Sequence, residues 1–357
     1  MKVALITDQH FGGKQDSQNF LNHIERFYRE QFFPYLSEND IDTVIDLGDT
    51  FDRRKFVNFN TLDKVRQFYF DVLNERGITL YSIVGNHSTY YRNTNSVNSS
   101  DLLYGHYDNV VTFSSPTRLL LQVPDMEIDM LPWINSENYD ETMEFIKNSK
   151  SQVAFGHLEV AGFAMYKGYN AEDGIAKDLF SRYELVCSGH YHHKSSKDNI
   201  HYLGAPYEIT WNDYDDPRGF HVFDTETRGI EFIRNKFRLF EKIYYDDENT
   251  DYTLIDVGYY KNKIVKLIVE NKNNTKNYEH FVDSLYEAEL ADLTILEDLS
   301  EYSARYSEDD DDDVEMGNTS DFLDEYVDGM PDSKKDEKVK VKKLLKVIYD
   351  EALNMEE

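Results

Sequence analysis

Residues 44–52, VIDLGDTFD, are the most informative stretch of this sequence, because a short and mostly apolar run leads directly into a glycine and acidic residues. Such a run is typical of a strand buried in a sheet. Four further runs share this design and end at metal-type ligands: VALITDQH (3–10), LYSIVGNH (80–87), VAFGH (153–157) and LVCSGHYH (185–192). Because ligands bind beyond the carboxyl ends of strands in open α/β sheets, the pattern predicts an α/β fold with a polar site at one sheet edge.

The residues at these strand ends are of the types that hold a pair of divalent cations. Carboxylates supply anionic oxygen, and imidazoles suit ions of intermediate softness. Two ions roughly 3.5–4 Å apart need a shared ligand that offsets their repulsion, and Asp49 is the expected bridge. Asp8 and His10 lie two residues apart, so on an extended backbone they face the same side and can share one ion. The remaining candidate ligands are Asn86, His157, His190 and His192.

A single motif of this kind would be weak evidence for a metal. Asp-x-His is common in proteins, a lone Gly-His is weaker still, and most such pairs bind nothing. The repetition favours a metal centre here, because five strand-like runs each end in a suitable ligand. We therefore predict a two-metal site formed by Asp8, His10, Asp49, Asn86, His157, His190 and His192.

The five motifs resemble those of the calcineurin-like metallophosphoesterase superfamily, which read D-x-H, G-D-x-x-[DH], G-N-H, G-H and G-H-x-H. All of them occur in this order over residues 8–192. Within the superfamily, the chain is similar to the SbcD-type nuclease subunits of double-strand-break repair complexes, and most of all to the recombination endonuclease subunits of T-even-like phages. The narrower likeness lies in residues 48–52, 131–133 (LPW), 202–206 (YLGAP) and 216–220 (DPRGF).

This resemblance implies a fold and an assignment of ligands. The fold would be a sandwich of two central sheets flanked by helices, followed by a small α+β capping domain and a C-terminal helix. The implied ligands are Asp8, His10, Asp49 and His192 for one ion, and Asp49, Asn86, His157 and His190 for the other. The family prefers manganese, so the implied cofactors are two Mn²⁺ ions, with Mg²⁺ as the other candidate.

By the same resemblance, His87 would be a catalytic histidine that is not a metal ligand. A protonated imidazole can protonate the leaving group, which is typically worth about 10²–10⁴-fold in rate. We expect a nearby carboxylate to keep His87 charged and oriented, and Asp52 is the candidate. The alternative is that Asp52 caps its loop or pairs with Arg53. The family usually has aspartate where this chain has Ser88, and some members have histidine in place of Asp52.

The chain is strongly acidic, with a formal net charge of −30 over 357 residues. Such a charge argues against a simple nucleic-acid binder, but not against a nuclease whose divalent ions offset part of the acid. Much of the charge lies in residues 301–332, where thirteen acidic residues stand against one arginine. Contact with DNA would need a local basic surface, for which we predict Arg53, Arg54 and Lys55. The alternative is a solvated charged loop.

Residues 1–225 are predicted to form the nuclease domain and residues 226–300 the capping domain. In the first part, helices are expected over 18–36, 61–74 and 98–107. In the second part, strands are expected at 230–233 and 263–269 and a helix at 278–286. Residues 301–332 form the predicted acidic linker, and residues 333–357 a predicted amphipathic helix, which by the resemblance would bind an ATPase subunit.

The resemblance also implies partners. In the family, the C-terminal region binds the coiled coil of an SMC-like ABC ATPase, for which the alternative here is docking on the chain's own domain. Any ATP dependence would come from that partner, since this chain has no G-x-x-x-x-G-K-[ST] motif. Family members form a homodimer within a heterotetramer. The candidate dimer face is Phe59, Leu62, Val65, Phe68 and Leu73, for which packing on the sheet is the alternative.

The single cysteine, Cys187, excludes a disulfide framework and fits a reducing compartment. It lies in an apolar run, so we expect a buried structural thiol. No apolar stretch approaches the roughly 18 residues that suggest a membrane-spanning helix, and no signal peptide is expected before the first ligand motif. These features predict a protein of the cytoplasm, or of the host cytoplasm if it is phage-encoded.

With the resemblance, the sequence predicts a manganese-dependent DNA exonuclease and single-strand endonuclease. It would act with the ABC ATPase in DNA end processing, recombination and repair. The alternative is a metallophosphoesterase acting on another phosphate ester. A non-enzymatic scaffold is disfavoured, because the ligand set is complete.

Overall fold

The computed structural model describes residues 1–122, 125–166, 169–170 and 174–297. The predicted linker at 301–332 and the predicted ATPase-binding helix at 333–357 lie outside these residues, so both stay predictions.

Each of the five apolar runs forms a strand. In chain order, the strands of the described residues are β1 (Lys2–Ile6), β2 (Thr43–Asp46), β3 (Thr79–Ile83), β4 (Val110–Phe113), β5 (Thr117–Gln122), β6 (Asp125–Leu131), β7 (Val153–His157), β8 (Ala164–Tyr166), β9 (Tyr169–Asn170), β10 (Leu185–Gly189), β11 (Ser195–Lys197), β12 (Ile200–Tyr202), β13 (Gly219–Asp224), β14 (Ile230–Arg234), β15 (Phe240–Asp246), β16 (Ile264–Asn271) and β17 (Asp292–Leu296).

Two mixed sheets form the centre of the fold. The strand order is β14-β13-β1-β2-β3-β4 in the first sheet and β11-β12-β10-β7-β6-β5 in the second. In the first sheet β1 to β4 run parallel, while β13 is antiparallel to its two neighbours. In the second sheet β12, β10, β7 and β6 run parallel, with antiparallel strands at both edges. The predicted architecture of two central sheets flanked by helices is confirmed.

Side chains on β1 alternate between two cores, as the period of two in a strand requires. Val3 and Leu5 pack between the sheets in the same core as Cys187 of β10. Ala4 and Ile6 belong instead to the core that lies against the helices. The strand is therefore apolar along its whole length because it is buried on both faces. The predicted burial of Cys187 is confirmed, and burial raises the pKa of its thiol.

The predicted helices are present, in several shorter segments. The helices and helical turns of the described residues are α1 (Gly13–Asp16), α2 (Gln18–Phe27), a π-helical turn (Tyr28–Phe32), α3 (Phe33–Glu38), α4 (Phe59–Val65), a π-helical turn (Arg66–Phe70), α5 (Asp71–Glu75), a π-helical turn (Ser100–Tyr104), α6 (Tyr139–Asn148), α7 (Thr275–Glu287) and short 3₁₀ turns at Asn86–Ser88, Lys177–Phe180, Trp211–Asp213, Tyr252–Leu254 and Val257–Tyr260.

Most of the candidate dimer face packs inside the protein. Val65, Phe68 and Leu73 are at most 1% exposed and belong to the core under the helices. Leu62 is partly buried against the same core, and Phe59 is 85% exposed. Ordinary packing on the sheet therefore explains three of the five apolar side chains.

Residues after β14 form a smaller sheet with the strand order β15-β16-β17, all parallel. Its core includes Tyr245 and Leu267 from the strands and Phe281 from α7. The strands and the helix expected in this part of the chain are therefore present. β14, which follows the predicted domain boundary at residue 225, pairs with β13 in the first sheet.

Candidate metal centre

The register of the strands brings the ligand-bearing loops to one level. Ile6 at the end of β1 pairs with Asp46 at the end of β2, and Asp46 with Ser82 in β3. In the second sheet, Gly189 at the end of β10 pairs with His157 at the end of β7. Because neighbouring parallel strands end side by side, the loops that follow them meet at one sheet edge.

Asp8, His10 and His192 form a first group, in which one ligand atom of each lies within 4.8 Å of the others. The Nε2 atoms of His10 and His192 are 3.0 Å apart, and His192 Nε2 is 4.0 Å from Asp8 Oδ1. Two nitrogens bound at right angles to one ion, each about 2.1 Å from it, would be about 3.0 Å apart. The spacing therefore fits two imidazoles that share an ion.

Asn86, His157 and His190 form a second group with Asp49. His157 Nε2 is 2.8 Å from Asn86 Oδ1 and 3.2 Å from Asp49 Oδ2. His190 Nδ1 is 3.0 Å from the same amide oxygen of Asn86. His157 Nδ1 lies 2.7 Å from the carbonyl oxygen of Leu47, which can only accept a hydrogen bond. Nδ1 therefore carries a proton, and Nε2 is the nitrogen that would bind a metal ion in place of a second proton.

Asp49 lies between the two groups. Its Oδ1 accepts a hydrogen bond of 2.8 Å from the backbone amide of His87, and its Oδ2 faces His157. A carboxylate oxygen of Asp49 also lies within 4.8 Å of ligand atoms of Asp8 and His157. The structure thus brings the predicted metal ligands together, and their roles as ligands and the bridging role of Asp49 stay predictions.

The backbone at the ligands differs from the extended chain assumed for Asp8 and His10. The angle φ is 51° at Asp8, 44° at His10, 55° at Asp49 and 88° at His190, all in the left-handed region. This conformation costs a residue other than glycine on the order of 1–3 kcal/mol and persists only where the surroundings enforce it. Asp8 and His10 therefore meet through a tight turn, and not because they alternate along a strand.

Two glycines allow the close approach of chain segments around the site. A Cβ atom on Gly189 would overlap the side chain of Thr7 and lie 2.9 Å from the carbonyl oxygen of Leu47. Gly48 has a φ of +104°, and a Cβ atom there would lie 2.6 Å from His157 Nδ1. The two sheets can therefore contact each other at the metal centre only because these positions have no side chain.

Burial and neighbouring charges shift the pKa values of the buried side chains in this cluster in different directions. Burial lowers the pKa of His10, but the hydrogen bond and the charge of Asp52 outweigh it and raise the pKa to about 9. Burial raises the pKa of Asp8, which favours the neutral acid. Burial and the nearby His157 lower the pKa of His190 to about 3. Divalent cations would stabilise anionic carboxylates and neutral imidazoles together, so this donor set fits the ions that the resemblance implies.

Asp52 contacts both His10 and His87, but through different groups. Its carboxylate Oδ1 lies 3.0 Å from His10 Nδ1. Its backbone carbonyl oxygen lies 2.6 Å from His87 Nδ1. The carboxylate therefore orients a candidate metal ligand, while the carbonyl orients the candidate catalytic histidine. Ser88 is buried, and its hydroxyl accepts a hydrogen bond of 3.4 Å from the backbone of Gly85.

Asp46 is a residue of this site that sequence reasoning missed. It is fully buried beneath the ligand loops. Its Oδ2 accepts hydrogen bonds from Gln9 Nε2 at 2.8 Å and Thr50 Oγ1 at 2.6 Å, and its Oδ1 accepts one from Gly48 N at 3.1 Å. The one available signal was a carboxylate inside an otherwise apolar strand, which needs buried partners.

The predicted DNA contacts lie beside the site with differing surroundings. Arg53 forms an ion pair of 3.0 Å with Asp16, and Lys55 is exposed near the ring of Tyr90. Arg54 is partly buried. A role of Arg53, Arg54 and Lys55 in binding DNA stays a prediction.

Among the described residues, no helix has the length and apolar character needed to cross a membrane.

Residues 1–194 match the family model described as calcineurin-like phosphoesterase. The chain is 34% identical over 335 residues to the exonuclease subunit 1 of Enterobacteria phage T4, which covers 93% of this chain and 94% of that protein. Among solved structures, an archaeal phosphodiesterase matches with 12% identity over 66% of this chain and 99% of its own, with a TM-score of 0.32. A dimetal phosphatase from Danio rerio matches with 12% identity over 62% of this chain and 91% of its own, with a TM-score of 0.36.

Proposed function

Because the chain belongs to the calcineurin-like phosphoesterase family, we propose that it is a two-metal DNA nuclease. It would be an exonuclease that also cuts single-stranded DNA internally, with a role in DNA end processing, recombination and repair. The observation that carries the proposal is the convergence of oxygen and nitrogen ligands from five strand ends in one buried cluster. The name of the phage T4 relative, an exonuclease subunit, supports DNA as the substrate.

The two ions would be held by the two groups of ligands. The proposed ligands are Asp8, His10, Asp49 and His192 for the first ion, and Asp49, Asn86, His157 and His190 for the second. Four imidazoles make the site less suited to Mg²⁺, and the carboxylate and amide oxygens suit Mn²⁺, which is the proposed metal. When bound, such ions polarise the phosphodiester and supply hydroxide near neutral pH.

His87 would donate the proton that the leaving oxygen needs. Its backbone amide is held by Asp49, and its Nδ1 faces the carbonyl oxygen of Asp52 at 2.6 Å. A carbonyl only accepts, so Nδ1 keeps its proton and Nε2 is the nitrogen that exchanges one with the substrate. The carboxylate of Asp52 would not contact the substrate. It would support metal binding, because it holds His10 in the orientation that a metal ligand needs.

The chain would work as one subunit of a larger complex. The T4 relative is named a subunit, which supports an assembly. We propose that the partner is an SMC-like ABC ATPase bound by residues 333–357, and that two copies of this chain form a homodimer within a heterotetramer. The site of action would be the cytoplasm of the host cell. Purification from infected or native cells, followed by identification of the bound proteins, tests this part of the proposal.

The nuclease activity is tested with linear duplex DNA, single-stranded circles and a small phosphodiester, each with Mn²⁺, with Mg²⁺ and with chelator. We expect metal-dependent cleavage of both DNAs, faster with Mn²⁺. Hydrolysis of the small diester without cleavage of either DNA would instead favour a phosphoesterase of another substrate class.

Replacing His87 by alanine should remove most turnover and leave metal binding intact. The expected loss is about 10²–10⁴-fold in kcat, because the proton donor is absent while all predicted ligands remain. Steady-state cleavage rates and Mn²⁺ titration calorimetry measure the two effects. His280→Ala, at an exposed position of α7, is the matched control and should retain full activity. Wild-type rates in His87→Ala would remove this residue from the mechanism.

A further inference from the structure

A cavity of about 530 Å³ lies at the edge of the first sheet and is rich in cations. Its lining includes Arg218, Arg234, Lys236 and Arg238, together with three carboxylates. The concentration of basic side chains stands out in a chain whose formal net charge is −30. A cavity of this size can hold a small anion or one segment of a larger ligand.

The strand register places this cavity at the same sheet edge as the metal ligands. Leu5 of β1 pairs with His221 of β13, and Gly219, two residues earlier in β13, pairs with Arg234 at the end of β14. Arg234 is therefore level with Thr7, directly before the first ligand loop. Two strand spacings separate them, which corresponds to about 10 Å.

Two of the three carboxylates of the cavity are already engaged within the protein. Asp216 Oδ2 lies 2.8 Å from Arg218 Nη2 and 2.8 Å from His193 Nδ1. Glu208 Oε2 accepts hydrogen bonds of 2.7 and 3.0 Å from the backbone amides of residues 239 and 240. Their negative charge is therefore directed into the wall of the cavity.

The basic side chains at the rim of the cavity have fewer hydrogen-bond and ion-pair partners within the protein. Arg234 and Lys236 are exposed, and among the described residues their side chains have no hydrogen bond or ion pair. Arg238 lies 3.6 Å from both Glu208 and Asp215, and its buried Nη2 has no hydrogen-bond partner among the described residues. An anion in the cavity would give the exposed side chains of Arg234 and Lys236 a charged acceptor.

Hydrogen bonds to the rest of the protein hold residues 234–236 in place. The side chain of Gln31 donates to the carbonyl oxygen of Arg234 at 2.7 Å and accepts from the backbone amide of Lys236 at 2.8 Å. Asn235 donates from its side chain to the carbonyl oxygen of Pro206 at 2.9 Å. A segment fixed in this way loses little conformational entropy when it binds a ligand.

A hydrogen bond links the cavity wall to the metal centre. Arg218 donates to the backbone carbonyl of His192, a predicted metal ligand, and to the carboxylate of Asp213 at 2.7 Å. Arg218 therefore contacts both the cavity and the loop that carries His192.

From these observations we infer that Arg234, Lys236 and Arg238 bind a backbone phosphate of the nucleic-acid strand whose scissile bond lies at the metal pair. Arg234 and the start of the first ligand loop are about 10 Å apart, a distance that a strand spans in a few nucleotides. The inference rests on the proposed function and adds to it a binding site for the strand beside the cut.

The test replaces both exposed cations by glutamate, Arg234→Glu with Lys236→Glu. We expect the KM for single-stranded DNA to rise roughly tenfold or more, and the slope of log Kd against log salt to fall by about 1, because the contact with one phosphate is lost. Hydrolysis of a small phosphodiester with Mn²⁺ should stay unchanged. The matched control is Lys147→Glu with Lys150→Glu, which makes the same charge change at exposed positions at and after the end of α6.

A series of oligonucleotide lengths separates local binding from a general effect of charge. The penalty of the double substitution should be absent for a dinucleotide and appear once the strand extends a few nucleotides beyond the cut. Equal penalties at every length would overturn the inference. A second outcome would also overturn it. In that outcome, the substitution abolishes binding of inorganic phosphate or a mononucleotide, but the KM for DNA does not change.

The outcome for the inference can be separated from the outcome for the proposed function. DNA binding is measured with Ca²⁺ in place of the catalytic ion, so it does not depend on turnover. Wild-type protein that hydrolyses the small diester but not DNA would contradict the proposed function. Unchanged DNA affinity and salt dependence in the double variant, with wild-type cleavage intact, would overturn the inference alone.

Discussion

Asp46 supports two ligand loops at once, although it binds no predicted metal itself. Its carboxylate accepts hydrogen bonds from Gln9 in the first loop and from Gly48 and Thr50 in the second. Burial raises its pKa to about 7, against the hydrogen bonds from Thr50 and Gly48, which lower it. The strained backbone at Asp8 and Asp49 is therefore held by one side chain beneath both loops.

Replacing Asp46 by asparagine should weaken metal binding without unfolding the protein. The amide has one oxygen, so at least one of the three donors loses its acceptor and the loops lose their alignment. Loss of such a supporting contact typically costs about 10–100-fold in metal affinity. Mn²⁺ titration calorimetry measures it, with the exposed Asp140→Asn as control. Unchanged affinity would show that the loops keep their geometry without Asp46.

His221 predicts how stability depends on pH. It is buried in β13, its Nδ1 has no hydrogen-bond partner among the described residues, and burial together with Lys194 lowers its pKa to about 3. The unfolded chain, with a pKa near 6.5, takes up the proton first. The contribution of neutral His221 is therefore complete above about pH 6.5 and is lost as the pH falls toward 3.

The expected loss from this one residue between pH 8 and pH 5 is about 2 kcal/mol of unfolding free energy. In His221→Leu this part of the pH dependence should disappear. Denaturant unfolding of metal-free protein at both pH values measures it, and the exposed His280→Leu should behave like the wild type. An equal drop in His221→Leu and wild type would mean that other groups cause the acid sensitivity.

At the scale of elements, the ends of the central strands determine the site more than their middles do. β10 reaches the first sheet at Gly189, where a Cβ atom would lie 3.0 Å from Asp8 Oδ2 and overlap Thr7. The middle of the same strand packs in ordinary cores, with Cys187 on one face and Val186 on the other. The chemistry therefore depends on where each strand stops.

Gly189→Ala should separate the two groups of ligands. We expect the free energy of unfolding to fall by about 1–3 kcal/mol, because the added methyl group overpacks the contact. We also expect weaker Mn²⁺ binding, because the methyl group displaces Asp8. Thermal unfolding and metal titration measure the two effects. In the matched control Gly229→Ala, the new methyl group would lie 3.3 Å from Thr227 Oγ1, the end of a small exposed side chain, so both quantities should change little. Retention of full metal affinity in Gly189→Ala would contradict the close contact.

At the scale of the whole molecule, the predicted metal pair would connect the two sheets. Asp8, Asp49 and Asn86 follow strands of the first sheet, whereas His157 and His190 lie at strand ends of the second. Ions that bind only when all these loops are assembled stabilise the folded state over the unfolded one. The metal is therefore expected to contribute to the stability of the sandwich as well as to its chemistry.

Removing the metal should lower the melting temperature. At a Mn²⁺ concentration of 100 times Kd, one site adds about 2.7 kcal/mol of stability, which corresponds to a shift of several degrees for a domain of this size. Thermal scans with Mn²⁺ and with chelator measure the shift. Asp49→Ala should show little or no shift, because both sites lose a ligand. A wild-type protein that melts at one temperature in both conditions would contradict the linkage.

The central strands and most of the side chains of the candidate site could be predicted from the sequence alone. The runs at 3–6, 44–47 and 153–155, which are apolar except for Asp46, predicted buried strands, because strands buried on both faces need mostly apolar side chains. The residues directly after the runs predicted which side chains would meet, because parallel strands of one sheet end at a common edge. Both inferences use only local pattern, and the structure shows those strands and brings those side chains together.

How these side chains meet depends on contacts between distant parts of the chain. The left-handed backbone at Asp8 and His10, the hydrogen bonds of Asp46 and the contact of Gly189 with Thr7 join residues that local pattern does not relate. The same holds for Asp52, whose carboxylate contacts His10 while its backbone carbonyl contacts His87. The physical reason is that local sequence sets backbone preference and burial, whereas distances between loops depend on packing between sheets. That packing involves residues far apart in the chain.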